Sequence, residues 1–180
     1  TYIKSVGEID DGLGGIQDTA LRNKLNSKFE KLMDEVETSN DLGNSRAFRG
    51  EIESVSHEQL DDLEDINRKF TDDEVKAIGD GQIDILRKNG DIVETKFVKM
   101  KNLGDKLTEQ IENYVKFQKY YGKDSAQIII RQKTDFTIRS QSELSTLIPE
   151  DVKSILDVFQ KQVPNKVHLE IIDLEGNLWR

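Results

Sequence analysis

The chain has 180 residues, of which 34% are charged and 35% are hydrophobic, a balance that fits a globular domain and excludes a transmembrane protein. It contains no cysteine, which excludes disulfides, a thiolate zinc site and a cysteine nucleophile but leaves the redox compartment undecided. The length predicts one domain with its own core. Because no signal-like segment follows Thr1, we expect the sequence to be a processed or excised piece of a longer protein.

The net charge of −9 is distributed unevenly along the chain. Residues 30–80 hold 16 acidic and 6 basic side chains, whereas residues 96–139 hold 10 basic and 5 acidic ones. An even spread of negative charge would oppose nonspecific nucleic-acid binding, but a basic segment is able to contact phosphates. The acidic segment is expected to face either solvent or a cationic partner.

The N-terminal part of the chain is predicted to be mainly helical. Residues 1–17 have the composition of a flexible polar linker, and no Gly-Lys-Ser/Thr follows that would make them a phosphate loop. Apolar side chains at helical spacing predict one helix over residues 18–38 and a second over residues 45–70. We therefore assign residues 1–44 to an N-terminal linker and helical extension, and residues 45–180 to the main domain.

A β-hairpin is predicted over residues 81–98, because apolar and polar residues alternate on both sides of an Asn89-Gly90 turn signal. A short strand at residues 74–78 would precede the hairpin and complete a three-stranded meander. The rest of the chain alternates between helices and strands: a helix at 107–121, a strand at 126–131 extended by 136–139, a helix at 142–163 and a strand with a closing turn from 166. These elements predict an α/β (α+β) fold with a central mixed sheet of about four to five strands flanked by helices.

Three charged residues of the hairpin are expected to share one face. Glu94 and Lys96 project the same way from their strand, and Asp84 lies nearly opposite Glu94 or Thr95 on the partner strand. Such a group forms either a surface salt-bridge row or a metal site. The neighbouring apolar residues favour the metal site, because two carboxylates buried together repel unless a cation or a proton lies between them. Mg²⁺ fits best, since it takes few carboxylates and keeps several waters.

This pattern resembles the PD-(D/E)XK nuclease superfamily, in which an acidic residue on one strand precedes a Glu-x-Lys motif on the next. Asp84, Glu94 and Lys96 match that motif. The family's core order of helix, three-stranded meander, helix and strand is similar to that predicted for residues 45–131. A helix before the meander often supplies another carboxylate, and either Glu51 or Glu53 lies at that place. Gln110-x-x-x-Tyr114 matches a motif of the RecB-type members.

The resemblance implies a metal-dependent nuclease acting on DNA or tRNA. Asp84 and Glu94 would hold Mg²⁺, or Mn²⁺ or Zn²⁺, with Glu51 or Glu53 joining through water. Lys96 would place the attacking water, and Gln110 would brace it or the scissile phosphate. The implied nucleic-acid contacts are Lys99, Lys101, Lys116, Lys119 and Tyr114, with Lys106 and Lys123 as further candidates.

A nuclease core behind an acidic, flexible start also resembles the C-terminal toxin domain of contact-dependent growth-inhibition systems. That resemblance implies a cognate immunity protein, delivery as part of a secreted or cell-surface protein, and action in the cytoplasm of a target bacterium. Two alternatives stay open at the sequence level: a cytoplasmic DNase of repair or restriction type, and a non-enzymatic acidic α/β interaction module. The oligomeric state is not determined by the sequence.

Overall fold

The computed structural model describes residues 2–180, which form seven α-helices and one six-stranded mixed sheet. The helices are α1 (Tyr2–Gly14), α2 (Thr19–Thr38), α3 (Leu42–Ser56), α4 (Asp72–Ile78), α5 (Leu107–Tyr120), α6 (Gln141–Leu147) and α7 (Glu150–Gln162). The strands are β1 (Leu63–Lys69), β2 (Gln82–Arg87), β3 (Ile92–Lys96), β4 (Ile128–Lys133), β5 (Val167–Ile172) and β6 (Leu178–Trp179). The predicted α/β class is confirmed, but the predicted count of four to five strands is wrong.

The strands lie in the sheet in the same order as in the sequence. β1, β2 and β3 form an antiparallel meander, β4 and β5 continue it as parallel strands, and β6 closes the edge in antiparallel orientation. Helix α5 connects β3 to β4, as a parallel crossover requires. The predicted helix at residues 107–121 is confirmed in α5, and the strand at 126–131 in β4.

The second predicted helix is wrong in its last third. Helix α3 ends at Ser56, and residues 63–69 form β1, the first strand of the meander. A register shift between Leu63 and Asp65 lets Leu63 and Ile66 both join the same core cluster, although they are three residues apart. Three-residue spacing is a helical signal, so the bulge gives the strand a helix-like pattern.

The strand predicted at residues 74–78 is instead helix α4. Thr71 and Glu74 form a reciprocal capping box at its start, and the Glu74 carboxylate accepts two 2.8 Å hydrogen bonds from the Arg68 guanidinium. The capping box satisfies backbone donors that would otherwise be unpaired at a helix start. The Thr-x-x-Glu signature therefore outweighs the strand-like alternation of the short segment.

Residues 2–14 are not a linker, because they form helix α1, while Thr1 lies outside the described residues. Ile9 and Leu13 of α1 are buried in one core cluster with Ile52 of α3 and Val93 of β3. The expected boundary between residues 44 and 45 falls inside α3. The N-terminal helices therefore share a core with the sheet.

The sheet lies between two helical layers. Helices α1, α2 and α3 pack on one face, and α5 and α7 pack on the other through a second core cluster that includes Ile111 and Val152. The helix predicted over residues 142–163 is split, because Pro149 ends one segment and begins the next, and residues 136–139 form no strand. Within residues 2–180, no helix has both the length and the apolar character needed to cross a membrane.

Candidate metal and phosphodiester site

The hairpin brings Asp84 and Glu94 together at the end away from its turn. Ile85 pairs with Val93 and Leu86 pairs with Ile92, a register that sets Asp84 across from Glu94. Here the backbone N–H of Thr95 donates to the Asp84 carboxylate at 2.8 Å. The carboxyl groups of Asp84 and Glu94 also contact each other. The predicted convergence of these two carboxylates is therefore present.

Tyr114 of α5 closes one side of this pair. Its hydroxyl donates to Glu94 Oε2 and lies 3.0 Å from the carbonyl oxygen of Gln82. The residue is buried and forms part of the wall of the site. Burial and the nearby Glu94 and Asp84 carboxylates raise the pKa of Tyr114, which keeps its proton available for hydrogen bonding.

The acidic groups of the site are all harder to ionise than usual. Burial raises the pKa of Asp84 well above its ordinary value, and the charges of Glu94 and Glu51 raise it further. Burial also raises the pKa of Glu94, although the Tyr114 hydrogen bond and the positive charge of Lys96 oppose the change. The site therefore concentrates more negative charge than its surroundings neutralise.

Of the two candidate glutamates on α3, the structure brings Glu51 to the site. Burial, followed by the charges of Glu94 and of Glu35 on α2, raises the pKa of Glu51 to about 7. Glu53 is instead buried beside β4, where its carboxylate forms a 2.9 Å ion pair with Lys133. Glu53 therefore has a structural role, and Glu51 is the third carboxylate near Asp84 and Glu94.

Sequence reasoning did not identify Glu35 as a neighbour of the site. Glu35 is half-buried on α2, and its Oε2 atom is buried without a hydrogen-bond partner. The only signal in the sequence is that Glu35 precedes Val36 and follows Leu32 by three residues. Both of these residues belong to the apolar face of α2. A carboxylate at the border of a buried face is often exposed, so this signal alone could not assign a function.

Lys96 and Gln110 are two further polar residues near the carboxylates. Lys96 is half-buried on β3, and its charge acts on Glu94. Gln110, in the first turn of α5, lines the same cleft as Asp84 and Glu94, and its buried Oε1 atom has no hydrogen-bond partner. This acceptor is therefore available to a hydrogen-bond donor that enters the cleft.

The cleft in front of the carboxylates has a volume of about 650 Å³. Lys106 and Lys116 line it, together with the acidic residues Asp80, Glu109 and Glu112. Lys99, Lys101 and Lys119 are exposed but do not line it. Of the six predicted phosphate-binding lysines, the structure therefore brings two, Lys106 and Lys116, to the cleft.

The side chains present fit a hard divalent cation. Two contacting carboxylates supply oxygen donors and excess negative charge, which suits Mg²⁺ or Mn²⁺ better than Zn²⁺, whose protein sites usually contain His or Cys. Within residues 2–180, no group of three or more His, Asp or Glu side chains is arranged to hold a metal. Asp84 and Glu94 would therefore be the direct protein ligands, with water and substrate oxygens completing the shell, as is common for Mg²⁺.

Comparisons of the chain with protein-family models, with curated proteins and with solved structures found no match. The functional argument therefore depends on the geometry and chemistry of the site itself.

The contact between the Asp84 and Glu94 carboxyl groups leads to a prediction about the stability of the fold. In EDTA at pH 8, Asp84→Asn is expected to raise the free energy of unfolding, because it removes a buried charge that the Glu94 carboxylate repels. The asparagine retains an acceptor for Thr95 N–H. Urea denaturation measures the effect.

The sign of the pH dependence follows from the raised pKa of Asp84. The unfolded carboxyl loses its proton near pH 4, whereas the folded one keeps it to higher pH, so the wild-type fold loses stability as pH rises. The advantage of Asp84→Asn should therefore shrink as the pH falls toward 4. Glu109→Gln, an exposed change in the same cleft, serves as the control. A variant no more stable than wild type at pH 8 would contradict the prediction.

Proposed function

We propose that the chain is a metal-dependent nuclease that hydrolyses phosphodiester bonds in DNA or tRNA. The observation that carries the proposal is the contact between the Asp84 and Glu94 carboxyl groups, half-buried in a cleft and flanked by Lys96, Glu51 and Gln110. A salt-bridge row would pair each carboxylate with a cation. Instead, the pKa of both carboxyls is raised, as expected for a site that binds a positive ligand.

The order of elements around the site supports the same reading. Helix α3, strands β1–β3, helix α5 and strand β4 follow the helix, meander, helix and strand order of the PD-(D/E)XK nucleases, with α4 inserted between β1 and β2. The Asp84, Glu94-x-Lys96 motif lies on β2 and β3, and Gln110-x-x-x-Tyr114 lies on α5. This agreement in the order of elements supports the proposal.

Each residue then has a role that its position allows. A divalent cation held by Asp84 and Glu94 would polarise the scissile phosphate and acidify a water molecule. Lys96 offsets negative charge that develops on the phosphate and orients the attacking water. Gln110 accepts a hydrogen bond from that water through its unpaired Oε1 atom. Tyr114 fixes the Glu94 carboxylate, which limits the conformations that the ligand pair adopts.

The direct test is cleavage of nucleic acid by the purified chain. Plasmid DNA and total tRNA are incubated separately with the protein in Mg²⁺, and again in excess EDTA. We expect cleavage of at least one substrate in Mg²⁺ and none in EDTA, because Asp84 and Glu94 cannot carry out the reaction without a cation. Cleavage that persists in EDTA would contradict the proposal, and the cleaved substrate distinguishes a DNase from a tRNase.

The biological setting proposed is that of a bacterial toxin domain neutralised by an immunity protein. This part rests on the sequence resemblance alone. Expression of the unaccompanied chain inside bacteria should arrest growth, and Glu94→Gln should restore it. Normal growth with the wild-type chain would instead favour a repair or restriction-type enzyme, while the absence of any cleavage would favour an interaction module.

A further inference from the structure

Two tyrosines are exposed where helix α5 ends. Tyr120 and Tyr121 are each 47% exposed, and their rings form an edge contact with centroids 4.9 Å apart. Tyr121 also packs at 5.0 Å against Phe117, which stacks on the buried Phe70. The Tyr121 hydroxyl donates to Glu74. The exposed pair is thus fixed to the core by a row of aromatic rings rather than being freely mobile.

Lysines surround this pair. Lys119 and Lys123 flank the tyrosines in sequence, and Lys88 lines a hollow of about 210 Å³ together with Tyr121 and Lys123. Within residues 2–180, none of these three lysines forms an ion pair at 4.0 Å or less. Their charges are therefore available to an anionic partner.

The hollow itself lies between the hairpin turn and α5. Gly90 of the turn has a φ of 94°, and the stem of Lys123 lies so close over it that a Cβ atom there would approach within 2.8 Å. Arg68 lies over the Phe117 ring at 5.1 Å and is paired with Glu74. Glu64 is the acidic residue of the lining, and Asp124 follows Lys123 in sequence, so the surroundings remain mainly basic.

We propose that Tyr120, Tyr121, Lys88, Lys119 and Lys123, here named the tyrosine-lysine patch, bind an unpaired stretch of a nucleic-acid strand. Exposed aromatic rings stack on bases of any sequence, and lysines contact phosphates. A duplex keeps its bases stacked on each other, so two protruding tyrosines can add stacking only to a strand that is not paired. This inference rests on the proposed function, because it takes the bound strand to be the substrate of the nuclease.

Helix α5 connects the patch to the cleft. Gln110 lies at the cleft end and Tyr121 follows the other end, a separation of about 16 Å along the helix at 1.5 Å per residue. Lys116 lines the cleft, and Lys119 and Tyr120 follow at three- and four-residue steps, which keeps them near one side of the helix, while Lys123 follows the helix end. At a rise of 3.4 Å per nucleotide, about five stacked nucleotides span this distance.

The test measures binding without cleavage. Fluorescence anisotropy follows a labelled oligothymidine, a labelled oligouridine and a labelled blunt duplex in EDTA, using the full chain. Tyr120→Ala should weaken binding of both single strands about 5- to 10-fold and leave duplex binding nearly unchanged. Tyr120→Phe keeps a ring and should bind single strands like the wild type, which separates stacking from a general loss of structure.

The lysines are tested by salt dependence. The double change Lys119→Gln and Lys123→Gln should lower the slope of log affinity against log salt by about 1.4, since each phosphate contact on a single strand contributes about 0.7. Lys24→Gln with Lys31→Gln is the matched control, because both lysines are exposed on α2 in the opposite helical layer. That pair should leave the slope unchanged.

The outcomes separate this inference from the proposed function. If patch variants lose single-strand binding but the chain cuts no nucleic acid, the patch stands and the nuclease proposal fails. Suppose that cleavage depends on Glu94, but Tyr120→Ala binds single strands like the wild type and the lysine double variant has the same salt slope as the α2 control. The patch proposal is then overturned, and a protein partner becomes the expected occupant. Failure of the wild-type chain to bind any oligonucleotide also overturns it.

Discussion

Glu94→Gln is expected to reduce Mg²⁺-dependent cleavage by about 10²–10³-fold. Glutamine is nearly isosteric with glutamate but lacks the charge that would hold a divalent cation, whose stabilisation of the transition state is worth several kcal/mol, and each 1.36 kcal/mol is tenfold in rate. Tyr114 still has an acceptor in the glutamine carbonyl, so the wall of the site should persist. Initial rates of plasmid or tRNA cleavage measure the effect, together with calorimetric titration of Mg²⁺.

Three further variants make this result specific to the site. Glu109→Gln removes an exposed carboxylate from the same cleft and should change the cleavage rate by less than about twofold, since surface charges there contribute mainly to steering. Glu51→Gln should lower the rate, whereas Glu53→Gln should lower stability through its lost ion pair with Lys133. Equal cleavage by Glu94→Gln and wild type would remove the basis of the proposed function.

Arg131→Met is expected to destabilise the fold by about 3–5 kcal/mol, because it removes the buried cation that two carboxylates share and leaves Glu58 with Arg87 and Glu170 with the exposed Arg180. Arg131 of β4 is 1% exposed, and its guanidinium pairs with Glu58 at 3.1 Å and with Glu170 at 3.0 Å. It also donates to the carbonyl oxygen of Ser54 at 2.9 Å. The group therefore connects the end of α3 with β4 and β5. Urea denaturation at neutral pH measures the loss.

A surface ion pair provides the comparison. Lys153 and Glu150 form a 3.2 Å pair on α7 with exposed side chains, so Lys153→Met should cost no more than about 0.5 kcal/mol. The side chain of Arg131 forms its hydrogen bonds and ion pairs with Ser54, Glu58 and Glu170, which lie outside the proposed site, so the folded fraction of its variant should still bind Mg²⁺. A loss below about 1 kcal/mol in Arg131→Met would mean that Arg87, which also pairs with Glu58, compensates for the missing charge.

The hairpin and its charges could be predicted from sequence because their signals are local. The Asn89-Gly90 turn sets the register, and the register alone places Asp84 across from Glu94. Helices α2 and α5 could also be predicted from the sequence, since each carries a continuous apolar face of several turns. These elements depend little on the rest of the chain.

The errors arose where tertiary contacts decide the structure. The local sequence does not indicate that residues 63–69 pair with β2, because the bulge interrupts the alternation of apolar and polar residues that is typical of a strand. The choice between Glu51 and Glu53 depends on Lys133, 80 residues further on, which takes Glu53 away from the site. The spacing of Tyr114 from Gln110 describes a helix face but does not reveal that the Tyr114 hydroxyl bonds to Glu94.

The parallel pairing of β3, β4 and β5 has a consequence for how the chain folds. Ile92 pairs with Ile128, and Ile128 pairs with Val167, so the strand that carries Glu94 is held by segments far away in sequence. Pairing over such separations must overcome the loop-closure entropy first, which slows it. We therefore expect the hairpin that carries Asp84 and Glu94 to join the parallel strands late, after the helices have formed. A nascent or partly unfolded chain would then carry the two carboxylates on the hairpin without the burial that raises their pKa.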